Sequence, residues 1–386
     1  MVDYPKDWGK VKLSALVKNI TTGKLDANHM VRNGKYRFYT CAKDYYYINN
    51  YAFDGEALLI SGNGVYVGYV HYYKGKFNAY QRTYVLMDFS CNSIFLKYYL
   101  DYFLESQINS EMKDGNTPYI VKSTLEDFSV TIPPLPEQKA IAETLMTFDR
   151  HIENLERLIE KKKMVRDGAV EDLMTEKTRL EGFEGDWEEI TIGDFLEFKN
   201  GLNKGKDFFG YGTPIINYMD VYKNHALYKE NIAGKVSLSN LEIERYRVKK
   251  GDVFFTRTSE TPEEVGISSV LLDDLDNCSF SGFVLRGRPK SEKILPEYCK
   301  YCFSIKKVRN SIIENCTFTT RALTNGKQLS KIALNIPSDI KEQEAIASTL
   351  TSMDEEIENL IKEKAKIEKI KAGAMDDLLT GKVRLI

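Results

Sequence analysis

Two stretches of the chain space their large apolar residues alternately four and three positions apart, with charged residues at most positions between them. This narrow stripe is typical of helices that pair along a coiled-coil seam, and not of a helix lying broadly on a core. Each stretch spans about 40 residues, which predicts a helix roughly 60 Å long at 1.5 Å per residue. The predicted seam residues are Ile141, Leu145, Phe148, Ile152 and Leu155 in the first stretch and Ile346, Leu350, Met353, Ile357 and Leu360 in the second.

The two stretches are copies of one another and align without gaps. Each residue of the second copy lies 205 positions after its counterpart, so that Glu342 corresponds to Glu137 and Arg384 to Arg179. An internal repeat of this kind predicts that the architecture of the protein is itself duplicated. Two unrelated surface helices are the alternative interpretation of the apolar pattern.

Basic residues interrupt the apolar seam in both copies. They are Lys162 and Arg166 in the first copy and Lys364 and Lys371 in the second. At two aligned positions one copy has a lysine where the other has an isoleucine: Lys364 corresponds to Ile159, and Lys162 to Ile367. Because a polar residue in a seam specifies register and partner, this complementarity favours pairing of the copies with each other.

The region before each repeated stretch also begins alike. Asp7-Trp8 and Asp186-Trp187 are each followed by apolar residues at the same spacings. The duplicated segment is therefore a globular domain together with its helix. The predicted boundaries are a first domain at residues 1–136, a first helix at 137–180, a second domain at 181–341 and a second helix at 342–386.

Both globular segments have the pattern of compact mixed α/β domains. In the first, short runs rich in aromatic and β-branched residues predict strands at 36–39, 57–60, 65–70 and 83–86, separated by turns of Gly, Asn and Ser. A helix is predicted from Ile94 to Leu104. The second domain repeats this order, with a strand near Val253 and a helix from Pro296 to Ser311.

Several segments combine basic, amide and aromatic side chains, which are the types that bind phosphate, pair with guanine or stack on bases. Residues 71–76 and 199–206 are predicted to be loops of this kind. Solvated turns explain each segment as an alternative, and packing in the cores explains the tyrosines equally well. The residues predicted to contact DNA are Lys35, Arg37, Tyr39, Asn63, Tyr73, Lys74, Lys76 and Arg82 in the first domain and Lys199, Asn200, Lys204, Lys206, Arg257, Thr258, Thr320 and Arg321 in the second.

Composition and charge limit these interpretations. Hydrophobic residues make up 42% and charged residues 28% of the chain, as in an ordinary globular protein. The formal net charge is −2, and neither globular segment is strongly basic. DNA binding therefore depends on local patches or on a partner protein.

The chain lacks the signatures of a membrane protein, a secreted protein or an enzyme. No run of about 18 apolar residues and no signal peptide is present, so we expect a cytoplasmic protein. The six cysteines are sparse and predict free thiols, and Cys299 and Cys302 form a single CxxC without the second ligand pair of a zinc site. Phosphate-binding loops, zinc-protease motifs and dinucleotide fingerprints are absent from the sequence, so we expect no catalytic residue, no metal and no cofactor.

The repeated helices carry a more specific likeness. A proline-rich lead into Glu137-Gln138, a helix ending in Leu173-Met174-Thr175-x-Lys177-x-Arg179-Leu180, and the second copy from Glu342-Gln343 to Arg384-Leu385 resemble the specificity subunit of type I restriction–modification systems. The likeness covers essentially the whole chain. The second copy departs from it by having Pro337-Ser338-Asp339 in place of a double proline, which affects only the entry into the helix.

This resemblance implies a fold and a set of partners. The implied class is α+β, with two mixed α/β target-recognition domains alternating with two long helices that pair as an antiparallel coiled coil, and with internal pseudo-two-fold symmetry. Each domain is expected to read one half of a split, asymmetric site in double-stranded DNA. The helices are expected to set the spacing and to dock two methyltransferase subunits, which bind S-adenosylmethionine, while restriction subunits join through the complex.

Two other classes of function are compatible with the residues. A protein–protein scaffold would use the same two domains to bind polypeptides across a helical spacer. An enzyme with an unfamiliar site is the third alternative. Salt-dependent DNA binding with an enriched split motif distinguishes the first hypothesis from the scaffold.

Overall fold

The structure is a computed structural model that describes residues 4–111 and 118–385. The chain divides into two compact units. The first unit comprises residues 1–157 together with 361–386, and the second comprises residues 158–360. Each unit thus contains a globular domain, part of the first repeated stretch and part of the second.

The first unit is built on a mixed sheet flanked by helices. A 3₁₀ helix covers Ala27–His29. Its other elements before the long helix are β1 (Gly9–Lys12), α1 (Leu13–Leu16), β2 (Val17–Thr22), β3 (Tyr36–Tyr39), β4 (Tyr46–Ile48), β5 (Phe53–Ser61), β6 (Val70–Ala79), β7 (Thr83–Phe89), α2 (Ser93–Glu111), α3 (Lys122–Glu126) and β8 (Ser129–Ile132).

Six of these strands form one sheet in the order β2-β7-β5-β6-β3-β4, and β1 pairs separately with β8. Neighbours in the six-stranded sheet are antiparallel except β3 and β6, which are parallel. Because side chains alternate along each strand, the sheet has two apolar faces. Leu58 and Leu86 pack in the core that contains α2, whereas Leu59 and Phe77 belong to a separate cluster. That second cluster underlies the candidate site.

The long helix α4 (Leu135–Leu173) follows β8 and has 39 residues. Prolines at 133, 134 and 136 lie before it and in its first turn, where their missing N–H groups cost nothing. It ends because Glu176 adopts a left-handed conformation with φ of 60°. The N–H of Thr178 then bonds the carbonyl of Asp172, which closes the helix end.

The second unit contains more and shorter elements. Its 3₁₀ helices cover Lys206–Phe208, Lys229–Asn231 and Pro262–Glu264. The strands and helices are β9 (Trp187–Thr191), α5 (Ile192–Phe195), β10 (Leu196–Asn200), β11 (Phe209–Ile216), α6 (Tyr218–Lys223), β12 (Ala226–Leu227), β13 (Lys235–Val236), α7 (Asn240–Tyr246), β14 (Val253–Thr256), β15 (Thr258–Ser259), β16 (Ser268–Leu271), β17 (Ser279–Phe280), β18 (Val284–Pro289), α8 (Pro296–Cys302), α9 (Lys306–Glu314), β19 (Thr317–Phe318), β20 (Ala322–Leu323), α10 (Gly326–Leu329), β21 (Ala333–Pro337) and α11 (Ile340–Leu379).

The strands of the second unit form several small sheets. The largest has five strands in the order β10-β18-β14-β16-β12. Two three-stranded sheets follow the orders β13-β11-β17 and β15-β20-β19, and β21 pairs with β9. The β21–β9 pair matches the β8–β1 pair of the first unit, since each joins the strand before a long helix to the strand that opens its domain. The duplication seen in the helices therefore extends into the domains.

The two long helices pair antiparallel in both units. In the first unit, Lys371 of α11 lies 2.5 Å from Asp149 of α4, and Lys364 lies 2.7 Å from Glu156. Residue numbers therefore rise along one helix while they fall along the other. Ile141 and Leu145 share a core with Leu378 and Leu379.

The second unit repeats this arrangement with the copies exchanged. Arg166 lies 3.4 Å from Asp354, and Lys162 lies 2.6 Å from Glu356. Each basic residue that interrupts the predicted seam thus contacts a carboxylate of the other helix. Ile346 and Leu350 are buried in the core that also contains Val170 and Leu173. The predicted pairing of the copies with each other is confirmed, and the α+β class with an antiparallel helix pair is confirmed with it.

Four local predictions were wrong in whole or in part. Residues 199 and 200 belong to β10, where they pair with β18, and not to the loop predicted at 199–206. Residues 65–68 form a turn and not a strand, because Gly64 and Gly68 both have positive φ, and Val65 is 93% exposed. Residues 71–76 lie inside β6 and not in a loop. The helix predicted from Pro296 to Ser311 is two helices, since the chain leaves α8 at the buried Phe303 and α9 begins only at Lys306.

No helix within the described ranges has the length and apolar character needed to cross a membrane.

Candidate nucleic-acid interface

One face of the six-stranded sheet in the first unit gathers aromatic rings around an arginine. Arg37 of β3 places its guanidinium carbon 4.1 Å from the ring centre of Tyr45 and 4.6 Å from that of Tyr73. Its Nη1 donates a 3.3 Å hydrogen bond to the hydroxyl of Tyr39. Phe77 packs beside Tyr39 and Tyr73. We call these five residues the tyrosine face.

Exposed tyrosines occur on both faces of the sheet: Tyr47 shares the face of Arg37, and Tyr46, one position earlier in β4, lies on the other. Lys43 lies 5.4 Å from the ring of Tyr66. The exposed aromatic side chains of this region are Tyr45, Tyr46, Tyr47, Tyr51, Tyr66 and Tyr69. Rings of this kind stack on bases, and the neighbouring ammonium groups bind phosphate, so the surface suits a nucleic acid.

A second small cluster in the same domain joins two predicted lysines. Lys35 lies 5.4 Å from the ring of Tyr36, and Lys76 lies 4.6 Å from the ring of Tyr51. The two rings are 5.0 Å apart, so the four side chains form one patch. The lysines here offer compact, strongly hydrated charges of the type that phosphates attract.

The structure places the other predicted residues of the first domain apart from these clusters. Lys74 lies opposite Glu56 in the β5–β6 register. Arg82 is exposed in the turn between β6 and β7, and Asn63 forms an isolated bridge with Tyr119. The structure therefore brings together Arg37, Tyr39 and Tyr73, and separately Lys35 and Lys76.

In the second unit a short hairpin carries two of the predicted residues. We call β19, β20 and the turn between them the threonine hairpin; Thr320 and Arg321 lie in its turn and are exposed. Phe318 on the hairpin is 56% exposed, which is unusual for a ring of this size. Because β20 also pairs with β15, the hairpin is one side of a three-stranded sheet, and its exposed turn is the part that faces solvent.

A cavity of about 550 Å³ lies beside the threonine hairpin. Thr258 and Arg321 line it together with Phe283, Tyr218 and Tyr222. The rings of the two tyrosines are stacked, with their centres 5.8 Å apart. The cavity offers aromatic surfaces and one guanidinium, and the structure brings Thr258 and Arg321 together in it. It is therefore the second candidate surface for bases.

Glu264 gives the wall of this cavity a negative charge. Its carboxylate accepts hydrogen bonds from the hydroxyls of Ser259 at 2.7 Å and Tyr222 at 2.8 Å. These two bonds lower the pKa of Glu264, so the group is ionised at neutral pH. A carboxylate in this position selects for hydrogen-bond donors, such as the amino group of cytosine or adenine, and against phosphate.

A second cavity, of about 480 Å³, joins two further predicted residues. Asn200 and Arg257 line it with Lys290 and Lys327. Three cations around one opening favour contact with a phosphate backbone. The strand β15 follows directly on Arg257, so residues 257 and 258 contribute to two different cavities.

Two of the three remaining predicted lysines of the second domain bond to the protein itself. Lys204 lies 2.7 Å from Glu242 and donates to the carbonyl of Ser237 at 2.8 Å. Lys199 donates to the carbonyl of Arg245 at 2.5 Å, and burial together with nearby arginines lowers its pKa. Lys206 is exposed at the start of a 3₁₀ helix. Neither of the two cavities is lined by these lysines.

Residues of the repeat that were not predicted as site residues attach each domain to the helices. In the first unit the hydroxyl of Tyr98 donates to Asp149 at 2.5 Å, and in the second the hydroxyl of Tyr301 donates to Asp354 at 2.8 Å. Burial opposes the charge of Asp354, but Lys300, Tyr301 and Arg166 outweigh it and lower its pKa. Because Asp149 and Asp354 are counterparts in the repeat, their shared position could have indicated a shared role.

The Glu-Gln pair that opens each repeat has the same contacts in both units. The amide oxygen of Gln138 accepts from the N–H of Asn92, and that of Gln343 accepts from the N–H of Leu295. Each glutamine also donates to the carbonyl of a proline just before its helix. These bonds fix the domain against the start of the helix.

The predicted seam residues differ in how deeply their side chains are buried. Ile141, Leu145, Leu155, Ile346, Leu350 and Ile357 are buried, whereas Phe148, Ile152, Met353 and Leu360 are partly exposed.

All six cysteines are free. Cys302 of the CxxC is buried in α8, and burial raises its pKa, which disfavours the thiolate that metals bind. Among the described residues no group of three or more His, Cys, Asp or Glu side chains is arranged to hold a metal ion.

Comparison with families places most of the chain in one known domain type. The model of the type I restriction modification DNA specificity domain matches residues 5–162 and again residues 184–369. The two matches follow the duplication, because each covers one globular domain and much of the long helix that follows it.

Named relatives match parts of the chain. The specificity subunit of type I restriction enzyme EcoDI from Escherichia coli is 40% identical over 156 residues, covering 40% of this chain and 34% of that protein. The EcoKI specificity subunit of Escherichia coli is 28% identical, covering 62% and 54%. The MjaVIII specificity subunit of Methanocaldococcus jannaschii is 26% identical, covering 76% and 72%. The matches thus span about one third and one half of the two E. coli proteins.

Solved structures share the fold over the full length. The type I restriction–modification S subunit of M. genitalium has a TM-score of 0.62 at 18% identity, covering 98% of this chain and 97% of that one. A chain solved in work on complex assembly and conformational transition of the type I restriction–modification system has a TM-score of 0.61 at 13% identity, covering 99% and 100%.

Proposed function

The chain belongs to the type I restriction modification DNA specificity family, and we propose that it is the DNA-recognition subunit of a type I restriction–modification complex. One observation carries the proposal beyond family membership. Each unit presents its own cluster of aromatic and charged side chains. The tyrosine face surrounds one cation in the first unit, and the cavity beside the threonine hairpin combines aromatic rings with Arg321 and the carboxylates of Glu260 and Glu264 in the second. Each unit therefore has side chains of the types that contact bases, which supports the reading of one half of a split DNA site by each unit.

The two clusters are built from different side chains on different types of sheet, which supports a DNA site whose two halves differ. The tyrosine face lies on a six-stranded sheet, whereas the threonine hairpin belongs to a three-stranded sheet of two-residue strands beside a cavity. Different surfaces offer different donors and acceptors to base edges. The two half-sites are therefore expected to differ in sequence.

The long helices are proposed to dock the methyltransferase subunits, two per chain. Several large apolar residues on them are exposed, among them Met164 and Val165 on α4 and Ile361 and Ile370 on α11. Single exposed apolar side chains are common on protein surfaces, so the proposed docking rests on the family to which the chain belongs. Methyl transfer, with S-adenosylmethionine, is then the work of those subunits, DNA cleavage is the work of restriction subunits bound through the complex, and this chain is non-catalytic. We expect the assembly in the cytoplasm.

A protein–protein scaffold is the second candidate function. The net charge of −2 favours it, since DNA-binding proteins are commonly basic. The exposed apolar residues of the helices are compatible with both functions. The basic cavity at Arg257 and the cation–aromatic clusters favour DNA.

Selection from random duplex DNA tests the proposal. The full chain, assembled with its methyltransferase subunits, is incubated with a random DNA pool at two salt concentrations, and the bound fraction is sequenced. We expect one enriched motif with two unlike halves and a gap, and binding that weakens as salt rises. Binding without an enriched motif, or no salt-dependent binding, would favour the scaffold.

A further inference from the structure

Arg37 occupies the centre of the tyrosine face and is held there by three rings. It lies on β3 in register with Phe77 of β6 and Tyr47 of β4. The rings of Tyr45 and Tyr73 contact its guanidinium, and the hydroxyl of Tyr39 accepts one of its hydrogen bonds. Contacts of this type attract the cation to the ring faces and restrict its motion.

The surface beneath Arg37 is rigid. Tyr39 is 1% exposed and Phe77 is fully buried, and their rings meet edge to face 6.0 Å apart. Tyr73 contacts both of them. A charged side chain seated on a buried aromatic floor loses little further freedom when it binds a ligand, so it is pre-organised for contact.

The guanidinium keeps most of its donors for an external acceptor. An arginine carries five N–H groups in a planar fork, and one of those of Arg37 bonds Tyr39. Within residues 4–111 and 118–385 it has no carboxylate partner at ion-pair distance. A cation that is held in place and left without a counter-charge is suited to bind a negative or acceptor-rich ligand.

Two DNA acceptors fit this fork, a phosphate and the O6–N7 edge of guanine. The surroundings favour guanine. Lys76 alternates with Tyr73 and Phe77 along β6 and therefore lies on the other face of the sheet, against Tyr51. On the face of Arg37, the guanidinium lies among the rings themselves. A planar fork held in one orientation suits the two acceptors of the guanine edge, and this bidentate pairing is the commonest specific contact of arginine with duplex DNA.

We propose that Arg37 is a specificity-determining residue that reads a guanine in the half-site bound by the first unit. The inference rests on the proposed function, because it needs duplex DNA on this face. It assigns to one residue the recognition of one base. Tyr45 and Tyr73 act as positioning residues that hold the fork in its plane.

The test compares Arg37→Lys and Arg37→Ala with the wild type in the selection from random DNA, as full complexes. Lysine keeps the charge but lacks the planar fork, so both variants are expected to lose preference for one guanine by about 5- to 150-fold. The other half of the motif stays unchanged and serves as an internal reference. Lys18→Gln, an exposed charge on β2 at the far edge of the same sheet, is the matched control and keeps the wild-type motif.

Tyr45→Ala tests whether a loss of guanine preference in the Arg37 variants reflects the lost contact or a failure to fold. It keeps Arg37 and removes one ring, so we expect a smaller loss at the same guanine, with thermal unfolding confirming that each variant is folded. Full guanine preference in Arg37→Lys overturns the inference. So does a uniform loss of affinity across sequences in Arg37→Ala with a salt slope reduced by about one, because that result identifies a phosphate contact. A wild-type motif without guanine in either half also overturns it and leaves the proposed function standing. A wild-type complex that selects no motif overturns both.

Discussion

Replacing Arg384 with alanine is expected to lower the melting temperature of the protein by roughly 5–10 °C, because it leaves a buried carboxylate without its counter-charge. Glu137 is fully buried, and both of its oxygens accept from Arg384, at 2.5 and 2.7 Å. The indole of Trp8 donates to the same carboxylate at 3.3 Å. The arginine thus ties the end of one repeat to the beginning of the other.

The duplication supplies a second copy of the same test. In the second unit Arg179 donates to both oxygens of Glu342, at 3.0 and 2.6 Å, and Glu342 is 1% exposed. Arg179→Ala is therefore expected to destabilise the second unit by a similar amount. Differential scanning calorimetry on the two single variants measures both effects.

Nearby lysines provide matched controls for these arginines. Lys382 pairs with Asp376 at 2.6 Å and Lys177 pairs with Asp172 at 2.7 Å, and both pairs are well exposed. Surface pairs of this kind contribute little, so Lys382→Ala and Lys177→Ala are expected to leave the melting temperature within about 2 °C of the wild type. Glu137→Gln in the Arg384→Ala background is expected to recover part of the loss, because it removes the unpaired charge. Equal effects of arginine and lysine variants would contradict the role of the buried carboxylates.

Lengthening both long helices is expected to lengthen the gap between the half-sites. Four residues inserted after Leu158 add about 6 Å and a net turn of about 40° to α4. Inserted there alone, they displace Lys162 and Arg166 from their partners on α11, so we expect weaker binding and an altered preferred gap. A second insertion of four residues after Ile361 falls between Glu356, which pairs with Lys162, and Lys364, which pairs with Glu156, and is expected to restore the pairing. The doubly extended chain is then expected to prefer a gap about two base pairs longer.

The selection from random DNA measures this gap directly. An insertion of four residues after Ser291, which is exposed and lies outside the helices, is the control and keeps the wild-type gap. Both half-site sequences are expected to stay the same in every insertion variant. An unchanged gap in the doubly extended chain would mean that the helices do not set the spacing.

The helices could be predicted from the sequence because their determinants are local and repeated. Spacings of four and three give the seam, and the constant offset between the copies gives the duplication. That the copies pair with each other also follows from the pattern of seam cations, whereas the antiparallel direction was implied by the family resemblance. The structure then shows Arg166 and Lys371 against carboxylates of the other copy. The ends were less predictable. Glu176, just after α4, has a left-handed backbone conformation that glutamate rarely adopts, so the sequence does not predict it. Its counterpart Gly381 has the same conformation, which glycine adopts readily.

The tyrosine face could be predicted only in part. Arg37, Tyr39 and Tyr73 stand out as residue types, but their contact depends on β3 pairing with β6, which are separated by two strands in the chain. Tyr45 was missed because it lies before a short strand within a run of three tyrosines, of which only the fold selects one to contact Arg37. In the second domain, Lys204 matches the pattern of a DNA-binding loop, yet Glu242 neutralises it through a contact 38 residues away in the chain. Nonlocal pairing thus decides which polar residues remain available.

Mapping of methylated bases in a host that carries the complete complex tests the central claim most directly. The genome is sequenced for modified bases with the chain present and again after its deletion. We predict one split motif with two unlike halves, methylated only when the chain is present. Methylation that persists without the chain, or a chain-dependent motif that is continuous or has identical halves, would contradict the claim that two different domains of this protein each read half of the site.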